Sequence, residues 1–139
     1  MSGEPLISIV DDDESVREAT RNLMDSQGFP AEAFESAEDF LHSKFVQETS
    51  CLIADIQMPG MSGLELHSHL TKSGHNIPMI LITAYHNDRT QARALNAGVI
   101  CYLKKPFSED ELLGCIRAVL GRHGSPRGRK RRRDSPSRS

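Results

Sequence analysis

The sequence predicts an α/β chain: a five-stranded parallel sheet, doubly wound by helices in (βα)5 order. Three observations predict it. Apolar runs alternate with helix-period segments about five times, the pattern of strands joined by crossover helices. The run Cys51–Ala54 shows no polar alternation, as expected of a strand covered on both faces. Four runs also end abruptly in polar chemistry. Leu6–Val10 meets Asp11-Asp12-Asp13, Cys51–Ala54 meets Asp55, Met79–Ile82 meets Thr83, and Ile100–Leu103 meets Lys104-Lys105. If the runs are parallel strands, these ends share one edge of the sheet, where open α/β sheets bind ligands.

Each element has its own signal. Leu6–Val10 reads as the first strand. Ser15–Gln27 carries Val16, Ala19, Leu23 and Met24 at helical spacing, with Gly28 as its C-cap. A short strand follows at Ala31–Phe34. Ser36 caps a helix through Ala37, Phe40 and Leu41. Cys51–Ala54 is the next strand, and Ser62–Thr71 is a helix with Leu64, Leu66 and Leu70 as its contacts. Met79–Ile82 is a buried strand. Asp88–Asn96 is a short helix with a mostly polar face, ended by Gly98. Ile100–Leu103 is the last strand. Ser108 and Glu111 form a capping box opening a helix with Leu112, Leu113, Ile116, Val119 and Leu120.

A chain of 139 residues is one domain by size. The reading assigns residues 1–121 to the folded body and 122–139 to a disordered tail, because hydrophobic residues stop after Gly121. The net charge of −2 conceals an acidic body and a basic tail, which contains Arg129-Lys130-Arg131-Arg132-Arg133. No apolar stretch approaches the ~20 residues of a membrane span, and the start does not resemble a signal peptide, so the expected location is the cytoplasm, with no membrane contact. Cys51, Cys101 and Cys115 are expected as small buried hydrophobes, not as disulfides or zinc ligands.

The strand-end residues specify a chemistry. Carboxylates gathered at one point repel; two unit charges ~4 Å apart cost roughly 4 kcal/mol at an effective dielectric of 20. A hard divalent cation reverses that sign. Mg²⁺ takes oxygen ligands, keeps several waters, and is commonly held by one or two carboxylates plus a phosphate. Asp12 and Asp55 are the expected direct ligands, with Asp11 acting through water. The Asp55 carboxylate can then attack phosphorus as a nucleophile. Lys105 supplies positive charge, and the Thr83 hydroxyl a donor, to the equatorial oxygens of the group in transit.

The segments Val10–Arg17, Asp55–Gly63, Ile82-Thr83-Ala84 and Lys105-Pro106-Phe107 together closely resemble the receiver domain of bacterial two-component response regulators. The resemblance covers about Leu6 to Leu120. The wording of Asp55–Gly63 resembles receivers of the nitrogen-fixation-regulator type, which are attached to helix-turn-helix transcription factors. The resemblance implies a flavodoxin-like sheet of strand order 2-1-3-4-5. It also implies that Asp55 accepts phosphate from a sensor histidine kinase, and that the switched surface controls transcription through a missing or separate effector. Autodephosphorylation without enzymatic turnover belongs to the same implication. Asp11 and Asp12 would form the acidic pocket, with the backbone carbonyl of Gln57 a further Mg²⁺ ligand. Thr83, Ala84 and Lys105 would surround the phosphoryl group, and Tyr102 would rotate inward when Thr83 moves. The Lys105–Pro106 peptide bond is expected to be cis. Where the family often has Ala and then an acid before the aromatic, this chain has Val99, Ile100 and Cys101.

A second resemblance competes. Asp11–Ser15 approximates the D-x-D-x-[TV] motif of haloacid-dehalogenase-like phosphatases, with Asp11 as nucleophile and Asp13 as acid/base. That reading gives Asp55 no role. It also needs an acidic pair at a strand end after the lysine, where Glu109, Asp110 and Glu111 instead open a helix.

Other features read as surfaces. His67 and His69, two apart on a helix, point in different directions and make no metal pair. His86 follows Tyr85 in the loop after Thr83 and is a candidate for the site's mouth. Arg89 and Arg93, with Tyr102, mark a face for partner docking or homodimerisation. The basic tail is a candidate for non-specific nucleic-acid binding through phosphate contacts.

Overall fold

The computed structural model describes residues 5–124, with side chains to Gly121. Its elements are β1 (Leu6–Val10), α1 (Glu14–Ser26), β2 (Ala31–Phe34), α2 (Ala37–Leu41), a 3-10 turn (Val46–Glu48), β3 (Thr49–Asp55), α3 (Gly63–Lys72), β4 (Met79–Thr83), α4 (Asp88–Asn96), β5 (Cys101–Lys104) and α5 (Glu109–Gly124). The five strands lie in the order β2-β1-β3-β4-β5, all parallel, as expected.

Strand side chains alternate between two cores. Ile7, Ile9, Cys51, Ile53, Ile80 and Ile82 pack with Met24 of α1 and with Leu112, Ile116 and Val119 of α5. Leu52, Ala54, Met79 and Leu81 pack with Phe40 of α2, Leu66 and Leu70 of α3, and Ala94 of α4. Both faces of the sheet are therefore covered, which explains the unbroken apolar runs.

Several boundaries differ from expectation, each for a physical reason. α1 starts at Glu14 because Asp13 is its N-cap, accepting from the amides of Ser15 and Val16. β3 starts at Thr49, not Cys51. Thr49 donates its hydroxyl to the carbonyl of Phe45 at 2.7 Å and accepts from the buried Ser8 hydroxyl at 2.7 Å. That pairing lets two hydroxyls enter the sheet without an unpaired polar group. β5 is Cys101–Lys104, one residue later than the apolar run, because Ile80 registers with Cys101. α5 continues to Gly124, three residues past the expected end of the body. Gly121 lies outside the set of positive-φ glycines (Gly28, Gly60, Gly74 and Gly98), so it does not terminate the helix. The expected disorder and nucleic-acid binding of the remaining tail fall on 125–139, outside the described residues.

Cysteine burial is uneven. Cys51 is buried, but Cys101 and Cys115 are only half-buried, because β5 is an edge strand and Cys115 sits on the flank of α5. Burial pushes the thiol pKa of Cys51 up to about 12; burial and a hydrogen bond with Cys101 do the same for Cys115. Among the described residues, no helix is long and apolar enough to cross a membrane.

Candidate functional site

The carboxyl ends of β1, β3, β4 and β5 meet at one edge, and the local chain geometry assigns a different task to each acid there. The three consecutive aspartates after β1 divide their work. Asp11 is 2% exposed and turns inward, its Oδ1 accepting from the Asp13 amide at 2.9 Å. Arg17 secures the same turn by donating Nη1 to the Asp11 carbonyl at 2.8 Å. Asp12 remains exposed, and Asp13 caps α1. Each of Asp11, Asp12 and Asp55 offers a carboxylate oxygen within 4.8 Å of the other two. This is the oxygen-only donor set that suits Mg²⁺, and the one metal-compatible cluster found among the described residues.

Asp55 ends the central strand and is 5% exposed. The Gln57 amide donates to its Oδ1 at 3.0 Å, which fixes the rotation of the carboxylate. Lys105 Nζ binds Oδ2 at 2.8 Å and Asp11 Oδ2 at 3.3 Å. The Lys105–Pro106 bond is cis, as expected.

The charges act on one another. Burial alone lowers the pKa of the Lys105 ammonium; the Asp55 hydrogen bond and the Asp11 and Asp55 charges outweigh it and hold that pKa above its ordinary value. Asp11 is raised from its ordinary value, chiefly by burial and also by the Asp55 charge, against the Asp13 amide and Lys105. Desolvation and like charge together make this a costly cluster that one lysine only partly neutralises.

The rim contains contacts that the sequence did not announce. Thr83, fully buried at the end of β4, donates its hydroxyl to the side-chain Oε1 of Gln57 at 2.7 Å and accepts from the Tyr85 amide at 3.0 Å. Ala84 follows it, exposed. The Tyr102 hydroxyl lies 3.3 Å from His86 Nδ1 and accepts from the Asn87 amide at 3.4 Å, while His86 Nε2 lies 2.7 Å from Asp88. His86 is thus tied to Tyr102 and not to Asp55. Glu38, from α2, accepts from the Met61 amide at 3.2 Å and steadies the turn at Gly60 (φ 77°). Gly63 opens α3 so close to β3 that a Cβ there would lie 2.6 Å from the carbonyl oxygen of Asp55. Its place in the Asp55–Gly63 segment was visible in the sequence, but the reason was not.

Residues 7–117 match the family described as the response regulator receiver domain. Response regulator protein TodT of Pseudomonas putida is 42% identical over 115 residues, which cover 83% of this chain and 51% of TodT. Nodulation protein W of Bradyrhizobium diazoefficiens is 37% identical over 131 residues, covering 94% of this chain and 56% of that protein. Among solved structures, response regulator StyR superposes with a TM-score of 0.77 at 46% identity, over 84% of this chain and 59% of that one. FixJ-N superposes with a TM-score of 0.77 at 31% identity, over 91% and 99% of the two chains. The chain spans about half the length of the curated relatives it matches. The family match displaces the phosphatase reading, and the carboxylate of Asp13, which would have been its acid/base, is occupied in capping α1.

Proposed function

The chain belongs to the response regulator receiver domain family, whose members are signalling proteins, and on that premise we propose that Asp55 is its phosphoacceptor, loaded by a sensor histidine kinase. The observation that carries the reading is the convergence of Asp11, Asp12, Asp55, Thr83 and Lys105 on one sheet edge, with Lys105 already bound to Asp55. In the transfer, a carboxylate oxygen of Asp55 forms a bond to phosphorus as the bond to the donor breaks; the donor leaves with the electron pair. The amide of Gln57 holds Oδ1 and so orients the nucleophile. Lys105 exchanges its contact with Asp55 for one with a phosphoryl oxygen, and Thr83 donates to another.

Receiver domains generally use Mg²⁺. Here Asp11, Asp12 and Asp55, with the backbone carbonyl of Gln57, would hold it. When bound, the ion neutralises the carboxylates and the phosphoryl charge.

The resulting acyl phosphate, a mixed anhydride, changes the contacts of Thr83, and thereby the equilibrium position of Tyr102 and of α4. The output surface is the face with Arg89, Arg93 and Tyr102, where Tyr85 is 75% and Leu95 44% exposed; a second copy of the chain is the partner we assign to it. Control of transcription through an effector, loss of phosphate by self-catalysed hydrolysis without substrate turnover, and a cytoplasmic location complete the reading. The test is acetyl phosphate with Mg²⁺, followed by mass spectrometry. Label on Asp55 supports the assignment; label on Asp11 or any other residue overturns it.

A further inference from the structure

Gln57 is bonded to both strand ends that the chemistry uses. Its backbone amide holds the Asp55 carboxylate at 3.0 Å, and its side-chain Oε1 accepts a hydrogen bond from the Thr83 hydroxyl at 2.7 Å. The Thr83 oxygen also accepts from the Tyr85 amide at 3.0 Å. A hydroxyl has one proton to donate. In this arrangement that hydrogen bond is committed to Gln57, and the Thr83 side chain is fully buried.

We propose that the Gln57 carboxamide is a positioning residue that holds Thr83 in the resting arrangement, so that loading of Asp55 requires the Thr83 hydroxyl to redirect its hydrogen bond from Gln57 Oε1 to a phosphoryl oxygen. The proposal rests on the reading of Asp55 as phosphoacceptor and Thr83 as phosphoryl ligand. It concerns the side chain of Gln57, which is separate from the backbone carbonyl assigned to the metal.

The exchange is chemically balanced. One hydrogen bond breaks, one forms, and no proton changes its covalent owner. Gln57 is exposed, so its released carboxamide is satisfied by water. The side chain therefore biases the equilibrium by about one ordinary hydrogen bond. It opposes the loaded state, because Oε1 and the phosphoryl group compete for the same donor.

The experiment is a double-mutant cycle on the full chain with Gln57→Met, Thr83→Ala and the combined variant. Methionine keeps the length of the side chain and replaces the amide oxygen with a much weaker acceptor. Affinity for beryllofluoride in the presence of Mg²⁺ is the first measurement. Gln57→Met is expected to bind about fivefold tighter than the parent, the factor expected for one lost competing hydrogen bond. In the Thr83→Ala background the same substitution is expected to change nothing. The second measurement uses the unloaded protein: NMR scalar couplings of the Thr83 methyl group should show new rotamers in Gln57→Met. Equal or weaker affinity in Gln57→Met, an equal gain in both backgrounds, or an unchanged Thr83 rotamer overturns the proposal. A parent protein that binds no beryllofluoride, or is labelled away from Asp55, overturns the underlying reading and the proposal with it. A parent that binds normally while the cycle is flat overturns the proposal alone.

Discussion

Lys105 Nζ sits 2.8 Å from Asp55 Oδ2, although the strands that precede and carry them, β5 and β3, are separated by β4. The lysine reaches over the end of a whole strand to stand among the carboxylates, in the place a cation would take. Lys105→Met should therefore have two opposite effects. Mg²⁺ should bind about three- to tenfold more tightly, because roughly 1 kcal/mol of charge competition is a factor of about five. Labelling by acetyl phosphate should fall about 100-fold, since a preorganised positive charge is lost from the transferring group. Calorimetric titration with Mg²⁺ checks the first effect, and weaker binding in the variant would contradict it.

Asp55→Asn should abolish labelling while the fold persists. The asparagine oxygen can still accept from the Gln57 amide, and the neutral side chain removes one of the crowded charges. Its melting temperature should stay within a few degrees of the parent. Stoichiometric phosphate on the variant, detected by intact-mass measurement, would remove Asp55 from its role.

Asp11 gives the metal-free protein a specific pH dependence. Its folded pKa is raised, chiefly by burial, so the folded state holds the proton more tightly than the unfolded chain, whose reference value is 3.8. Above the folded value Asp11 costs stability; as pH falls from there toward 3.8, that cost is relieved. Lys105, also raised, contributes stability that is present below its ordinary value and lost as pH climbs through its folded value. In chelator at neutral pH, Asp11→Asn should thus be more stable than the parent, with the gap narrowing on acidification. Urea unfolding of both proteins at stepped pH values measures this, and a gap that widens toward acid would show the sign to be wrong.

Gly63→Ala should destabilise the fold by about 1–3 kcal/mol, because the new methyl would meet the Asp55 carbonyl oxygen at 2.6 Å and Leu81 Cδ2 at 2.9 Å, and the oxygen belongs to backbone. Displacing β3 from α3 moves the proposed nucleophile, Asp55, so labelling should slow about tenfold. Gly114→Ala is the control: it lies in α5 with open space at its Cβ position, and should stabilise by about 0.5–1 kcal/mol. Equal effects of the two substitutions on thermal unfolding would show that the close approach is unimportant.

The architecture was legible because each strand is an apolar run and each helix has a local start signal. Asp88–Asn96 and the Ser108–Glu111 capping box follow from residues within a few positions of one another, and both were anticipated. The strand-end residues were legible for a related reason: parallel strands bring their ends together wherever they lie in the chain. The pairs Gln57–Thr83, His86–Tyr102 and Glu38–Met61 were not. Their partners are 26, 16 and 23 residues apart and have no periodicity that links them. Thr49 escaped for another reason, since a hydroxyl looks like the end of a strand until its buried partner Ser8 is known. Asp13 escaped because the helix is read from Ser15 in the sequence, whereas its true start at Glu14 makes Asp13 the cap.

The alternation of side chains on β4 and β5 separates two kinds of change. Leu81 and Tyr102 face the layer of α2, α3 and α4, and Thr83 continues that alternation, whereas Ile80, Ile82 and Leu103 face α1 and α5. On the proposed switch, a shift of Thr83 or Tyr102 first disturbs packing on one side of the sheet. Substitutions among Met24, Leu112, Ile116 and Val119 can accumulate and alter heat resistance with little effect on the conformational equilibrium. Exposed substitutions beside Tyr102, at Tyr85 and Leu95, would retune the proposed equilibrium at nearly constant heat resistance. The two properties can drift independently within a lineage, and a survey of variants should find them uncorrelated.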